Sequence, residues 1–379
     1  MIPRKIGIVG VVGARPNFMK MAPLARLLAR HRRFDFSLVH TGQHYDGMSD
    51  PFFRELGLPQ PDHHLKVGSL PAARQIGLII SRLVPVLEDL HPRLVIVVGD
   101  VTSTLAAALA AHKMGIPVAH VEAGLRSFDE SMPEEINRRI TDSLSRFCFT
   151  HSPEADRNLR REGVPACRIH RVGNLMIDTL LRLKPRADRS SILKTLGLRP
   201  RRYVLLTLHR PSNVDAEEDL RRFDRLLKEV GKSMPVVFPI HPRTRANARR
   251  FGIWVRDEPG VRLVEPLGYL DFLKLQSRAA FVLTDSGGVQ EETTALGVPC
   301  LTIRENTERP VTIRQGTNRL AGTRLEGILG HVRRLLRGDV PPRRVPPLWD
   351  GRAAERLLGV LERELGGRSA AYSTSETAL

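Results

Sequence analysis

Leu94-Val95-Ile96-Val97-Val98-Gly99-Asp100 is the stretch that decides the fold. An unbroken apolar run dominated by β-branched residues reads as a strand buried on both faces, the kind found in parallel sheets covered by helices. A glycine then turns the chain, a carboxylate ends the strand, and a helical pattern follows at Ser103–Lys113. Working upstream, the strand-like runs Ile6–Val12 and Phe36–His40 are separated by helical patterns at Phe18–His31 and Ala73–Leu90. Downstream, Val118–Val121, Phe147–Thr150 and Ile169–Val172 alternate with helices at Glu134–Ser145 and Glu154–Glu162. Alternation of this kind builds βαβ units around a parallel sheet.

A Pro- and Arg-rich stretch, Leu183 to Arg202, interrupts the series and reads as an interdomain hinge containing a short helix at Ile192–Leu196. The alternation then resumes. Strands fall at Tyr203–Leu208, Val236–Ile240, Val261–Val264, Phe281–Thr284 and Pro299–Thr302, and helices at Glu217–Val230, Thr244–Arg249, Tyr269–Ser277, Gly288–Leu296 and Leu325–Leu336. A last helix, Ala353–Leu365, precedes a small, polar tail. The expectation is an α/β protein of two doubly wound Rossmann-like domains, residues 1–185 and 186–350, facing each other across a cleft. A terminal helix at 351–365 would pack back on the first domain, and 366–379 would be a disordered tail. Ligands of open α/β sheets bind outside the carboxyl ends of the strands, so the site is expected there.

Composition narrows the class. Among 379 residues the net charge is +18, and fifty of the cations are arginine. They are scattered in doublets such as Arg32-Arg33 and Arg343-Arg344, with no long basic block and no nucleic-acid motif. This reads as a solvated arginine-rich surface rather than a face for nucleic acid or membrane, and the field also suits a small substrate with several negative charges. Cys148, Cys167 and Cys300 are far apart and form no Cys-x-x-Cys pair, which argues against a disulfide framework or structural zinc. No apolar run reaches membrane-spanning length, and the N-terminal run is too short for a signal peptide, so a cytoplasmic protein is expected.

The residues that bear chemistry sit at strand ends. Gly10-Val11-Val12-Gly13-Ala14-Arg15-Pro16-Asn17-Phe18-Met19-Lys20 lacks the Gly-x-Gly-x-x-Gly dinucleotide spacing. Arg15 and Lys20 would flank a helix N-terminus, a natural anion site; the plainer reading is a turn with two surface cations. Asp100 is either the cap of the next helix or a group at the crevice. Val121-Glu122-Ala123-Gly124 repeats the arrangement, and two consecutive strands ending in carboxylates favour a site. Glu134 would form a capping box with Ser131, yet the loop from Glu122 to Pro133 returns it to the same crevice. In the second half, Leu208-His209-Arg210 and Ile240-His241-Pro242-Arg243 end strands with cationic groups that would bind phosphate, move protons or merely cap. Thr284-Asp285-Ser286-Gly287-Gly288-Val289-Gln290-Glu291-Glu292 opens a helix with Ser286, Gly287 and Gly288 placed for a diphosphate and Glu292 placed for ribose hydroxyls, unless it is an ordinary glycine turn. Arg309 adds a cation. No metal-ligand cluster and no Gly-Lys-Ser/Thr phosphate loop is present, and no cofactor is implied.

Collected in order, these motifs resemble the non-hydrolysing UDP-N-acetylglucosamine 2-epimerases from about Ile6 to Leu365. The likeness rests on Gly13-Ala14-Arg15-Pro16, Thr41-Gly42-Gln43-His44, Gly99-Asp100, Val121 to Arg126, Pro133 to Arg138, Gly173-Asn174, His209-Arg210, Asp285 to Glu292, Thr307-Glu308-Arg309-Pro310, Gly316-Thr317 and Asp350-Gly351. It implies a glycosyltransferase-B-like fold and a homodimer. It implies catalytic roles for Asp100, Glu122, Glu134 and His209. It also implies a UDP-sugar held by Arg15, Lys20, His44, Arg138, Leu267, Phe272, Ser286, Gly287, Gly288, Glu292 and Arg309. Two departures stand out. Ser212 occupies a position where the family often has Glu, and the segment after Gly68 does not match the part where some bacterial members bind a regulatory second UDP-GlcNAc. The expected reaction expels UDP from C1 while a carboxylate removes the C2 proton, then re-adds UDP with protonation on the opposite face. A glycosyltransferase, a hydrolysing relative or a non-catalytic binder would use parts of the same equipment.

Overall fold

The computed structural model describes residues 5–43, 49–254 and 258–366, without the side chains of 49–52. Seven strands, β1 (Ile6–Val12), β2 (Phe34–His40), β3 (His63–His64), β4 (Leu94–Val98), β5 (Val118–Val121), β6 (Phe147–Thr150) and β7 (Ile169–Arg171), form one sheet in the order β3-β2-β1-β4-β5-β6-β7. Six more, β8 (Val204–Thr207), β9 (Val236–Pro239), β10 (Val261–Val264), β11 (Phe281–Thr284), β12 (Cys300–Thr302) and β13 (Asn318–Leu320), form a second in the order β10-β9-β8-β11-β12-β13. Every pairing within the two sheets is parallel.

Both faces of each sheet are covered. Along β4, Leu94, Ile96 and Val98 enter one core with Ile8, Leu38 and Phe149, while Val95 and Val97 enter another with Val9, Val11 and Ile79. That double burial explains why the run carries no polar residue. The second sheet repeats the pattern: Leu206 and Leu283 pack on Phe223 and Leu227, and Leu205 and Val282 pack on Leu275 and Val289. Strand order reverses between β1 and β4 and again between β8 and β11. At such points the connections leave in opposite directions and open a crevice. Arg15, Lys20 and Asp100 follow the first pair of strands; His209 and the Asp285–Gly288 turn follow the second.

Several elements escape the sequence reading, among them short helices at Ser49–Leu56, Pro211–Val214 and Pro310–Arg314. β3 is two histidines long, β13 mixes Asn, Arg and Leu, and helix Leu175–Ala187 contains Pro185. This helix is wedged between helix Arg15–Leu28 of the first lobe and helices Tyr269–Arg278 and Gly287–Leu296 of the second, so its apolar residues follow no single stripe. The expected interruption at Leu183 therefore begins inside a helix. The chain finally returns to the first lobe. Helix Ala353–Gly366 places Ala353, Leu357 and Leu361 in that lobe's core, and the buried Asp178 carboxylate accepts the N–H groups of Ala353 at 3.1 Å and Ala354 at 2.7 Å. Gly366 ends this helix rather than opening a tail, and 367–379 lie outside the described residues. Among the described residues, no helix is long and apolar enough to cross a membrane.

Candidate active site

The first helix starts at Arg15, three residues before the expected Phe18. Pro16 suits a first helical turn, and Asn17 Oδ1 accepts the N–H groups of Gly13 at 3.0 Å and Ala14 at 3.2 Å. A side chain at Gly13 would collide with the Ser103 hydroxyl, so the turn requires glycine there. Lys20 consequently lies in the second turn, buried, with its ammonium paired to Glu122.

Glu122 follows β5 with φ +75°, a backbone region that non-glycine residues seldom enter and that tends to mark functional sites. Its Oε1 accepts from Arg309 Nη2 at 2.6 Å. Burial alone would raise this carboxyl; Lys20 and Arg309, with His151 adding to them, outweigh it and hold the group at about 2. Arg309 is enclosed by carboxylates, pairing with Glu122, with Glu308, and through Nε with Glu291 at 3.0 Å. Glu308 also meets Arg304 at 2.8 Å and Arg210 at 3.6 Å, and is held far below the ordinary carboxylate range against the effect of burial.

Asp100 does not cap the following helix, whose N-cap is Val101. Its Oδ2 accepts from Arg138 Nη2 at 2.6 Å and Nε at 3.2 Å. A Cβ on the preceding Gly99 would lie 3.0 Å from Lys20 Nζ and 3.7 Å from Glu122 Oε2, so the turn that carries Asp100 abuts the Lys20–Glu122 pair. The capping box expected for Glu134 is not formed. The helix begins at Pro133 with Met132 as N-cap, and the Ser131 hydroxyl donates instead to Asp129 at 2.6 Å. Because the helix starts at Pro133, its third residue is Glu135, which reaches back to the Ser127 N–H at 2.8 Å. Glu134 stays partly exposed in the first turn.

In the second lobe one buried carboxylate organises the strand ends. Asp285 Oδ2 accepts the backbone N–H groups of His209 at 3.0 Å and Arg210 at 2.8 Å and the Asn213 amide at 3.2 Å, while Oδ1 faces His209 Nδ1 at 3.1 Å. Burial would raise Asp285, but His209 and these N–H groups bring it to about 2. Arg15 approaches from the first lobe: burial, then His209 and Arg15, keep the His241 imidazole below its usual value. A side chain at Gly287 would strike the Arg309 guanidinium, and one at Gly288 would press on the Met176 methyl at 3.1 Å. The Ser286 N–H donates to Thr284 Oγ1 at 3.0 Å, and its hydroxyl makes no capping bond. Glu292 is buried and accepts the Tyr269 hydroxyl at 2.8 Å; burial pushes it up to about 7. Leu267 and Phe272 are partly buried against Leu275 and Val289. His44 lies outside the described residues.

The structure thus joins Lys20, Glu122 and Arg309 in one ion-pair network and connects His209 to it through Asp285, Arg210 and Glu308, while Asp100 pairs with Arg138, and Arg138 with Glu135, in a second cluster. The sequence reading gave no role to Asp285, Glu291 and Glu308, quoted only within motifs, and passed over His151 altogether. Their signal is faint in sequence, since each acts through burial and through partners that no local pattern singles out, such as His209 for Asp285 and Glu291 for His151. Donor atoms of Glu122, His151 and Glu291 lie within 4.8 Å of one another, a spacing that suits a metal ion. Lys20 and Arg309 already neutralise the two carboxylates, and a divalent cation would have to displace them.

Two parallel doubly wound sheets with a polar network between their switch points define a glycosyltransferase-B-like α/β protein. Residues 26–362 match the family described as UDP-N-acetylglucosamine 2-epimerase. The chain belongs to that family and is an epimerase of its kind. It is 40% identical over 365 residues to a UDP-N-acetylglucosamine 2-epimerase of Methanococcus maripaludis, covering 94% of this chain and 98% of the relative. It is 39% identical to a UDP-2,3-diacetamido-2,3-dideoxy-D-glucuronate 2-epimerase of Pseudomonas aeruginosa, covering 86% and 91%. The crystal structure of Methanocaldococcus jannaschii UDP-GlcNAc 2-epimerase in complex with UDP-GlcNAc and UDP superposes with a TM-score of 0.88 at 38% identity, over 94% of this chain and 100% of that one.

Proposed function

We propose that the protein interconverts UDP-N-acetylglucosamine and UDP-N-acetylmannosamine without hydrolysis. The observation that carries this reading is the buried triangle of Lys20, Glu122 and Arg309. Two cations suited to a diphosphate are held by a carboxylate at a strand end. A diphosphate entering the crevice competes with Glu122 for both, and a buried carboxylate relieved of its cations becomes a stronger base. Binding of the leaving group thereby arms the proton acceptor.

In this scheme UDP departs from C1 with the electron pair of the C1–O bond while Arg15, Lys20 and Arg309 stabilise the charge on its phosphate. One of Asp100, Glu122 and Glu134 takes the C2 proton, and the C1–C2 double bond of a 2-acetamidoglucal forms. Another returns a proton to the opposite face of C2 as the UDP oxygen attacks C1. His209, oriented by Asp285, acts beside the diphosphate, and the backbone from Ser286 to Gly288 cradles it. Leu267 and Phe272 flank the base, Glu292 exchanges Tyr269 for the ribose hydroxyls, and His44 and Arg138 complete the sugar site. The two lobes, 1–185 and 186–350, close over the glucal to prevent its escape. The scheme calls on no metal or redox cofactor. A cytoplasmic homodimer completes the reading. The Pseudomonas relative supports a second reading, in which another UDP-2-acetamido sugar is preferred.

Proton NMR of the purified protein with UDP-N-acetylglucosamine in D2O tests this. The expected product is UDP-N-acetylmannosamine with deuterium at C2 and no lasting free UDP. Accumulating UDP and free N-acetylmannosamine would instead establish a hydrolase. The carboxylate roles fail if Asp100→Asn, Glu122→Gln and Glu134→Gln each fold and keep near-normal turnover.

A further inference from the structure

Helix Pro133–Leu144 turns a charged face inward. Glu135, Arg138 and Asp142 are buried at helical spacing, while Ile136 and Ile140 on the other side are about 40% exposed. Arg138 holds Asp100. One turn further, Asp142 meets His120, a fully buried residue of β5 two positions before Glu122. His120 Nδ1–H donates to Asp142 Oδ1 at 2.6 Å, and Nε2–H donates to the Gly99 carbonyl at 2.7 Å. Neither partner has a proton to offer: one is a carbonyl, and the other is a carboxylate already paired with the Arg126 guanidinium. Both ring nitrogens therefore donate. The other Asp142 oxygen accepts the Gly124 N–H at 3.0 Å and pairs with Arg126 at 2.8 Å. Gly99 in turn donates its N–H to the Val121 carbonyl at 3.0 Å.

We propose that His120 and Asp142 are a positioning pair that fixes the two carboxylate-bearing strand ends relative to each other. The pair grips Gly99, one residue before Asp100, and Gly124, two residues after Glu122. It touches neither carboxylate directly. The left-handed backbone at Glu122 is held from both sides, by β5 before it and by the Asp142 bond to Gly124 after it. This inference rests on Asp100 and Glu122 being the reacting carboxylates. A displacement of about 1 Å at such groups lowers turnover on the order of 10²-fold.

The test joins a spectroscopic and a kinetic measurement on the full chain. In 15N-histidine NMR, the ring signals that vanish in His120→Gln are expected to be those of two protonated nitrogens; an unprotonated nitrogen there overturns the pair whatever the turnover. With UDP-N-acetylglucosamine, His120→Gln and the milder Asp142→Asn are expected to lose kcat by about 10²-fold, with KM changed by less than about twofold and with folding intact by thermal melting. Folded variants with full kcat, or with the loss confined to KM, overturn the positioning role. Should the wild type leave every UDP-2-acetamido sugar unchanged, the proposed reaction fails, and the histidine spectrum still decides whether the pair exists.

Discussion

Helices Pro133–Leu144 and Glu217–Gly231 are of similar length and face their lobes in opposite senses. The second buries Leu220, Phe223, Leu226, Leu227 and Val230 against its sheet, the stripe expected of a helix that covers a core. The first buries Glu135, Arg138, Thr141 and Asp142 and leaves isoleucines outside. It packs on helix Thr102–Lys113 and reaches the loops that leave β4 and β5, where Asp100 and the Gly124 N–H meet its ionic face. The contrast separates a helix that stabilises its lobe by apolar burial from one whose inner face is ionic and holds Asp100, a proposed catalytic carboxylate.

Four substitutions, three of them in these helices, press on this contrast. Phe223→Ala is expected to destabilise by about 3–5 kcal/mol through loss of a buried ring, and Arg138→Met by a similar amount by leaving Asp100 and Glu135 unpaired. Only Arg138→Met should also depress kcat in the protein that remains folded. Urea titration and turnover measured side by side check this, and equal kcat losses would erase the distinction. Next comes a buried carboxylate without a cation. Glu292 sits at about 7 in the folded chain, above its ordinary value of 4.5. The folded state therefore binds the extra proton between these values, and stability falls as pH rises through that window and levels off above it. Glu292→Gln keeps an acceptor for Tyr269 and removes the titration. Its loss of stability between pH 5 and pH 8 is expected to be smaller than that of the wild type by up to about 3 kcal/mol; unchanged slopes in urea unfolding would refute it. The smallest effect belongs to Ile136→Lys, on the outer face of the inverted helix. Its unfolding free energy should stay within about 0.5 kcal/mol of wild type.

How far sequence carries follows the same line. Strands β1, β4, β5, β6 and β11 are read to the residue, because apolar runs between glycine or polar stops identify a strand covered on both faces, and edge strand β10 is placed as well although the exposed Arg262 interrupts it. Helix Glu217–Gly231 is legible from its stripe, whereas Leu175–Ala187, covered by both lobes, has no stripe to read. In the site, the ends of β4, β5, β8 and β11 are visible because Asp100, Glu122, His209 and Ser286 break apolar runs. The pairs that orient them are not. Arg309 with Glu122 spans 187 positions and Asp285 with the His209 N–H spans 76, distances over which no local pattern operates. The supposed capping box shows the reverse error: Ser131 and Glu134 have the right spacing, but Pro133 sets the helix start and Asp129 takes the serine.

The return of the final helix to the first lobe has a mechanical consequence. The polypeptide crosses between the lobes twice, once after helix Leu175–Ala187 and once before helix Ala353–Gly366, where Asp178 anchors it. A body tethered at two separate points keeps one free rotation, about the line that joins them. The closure proposed above would be confined to a single arc, bringing the strand ends of one lobe toward those of the other along one path. Trp349, whose indole N–H donates to the His151 carbonyl at 3.0 Å, ties the chain down beside the second tether.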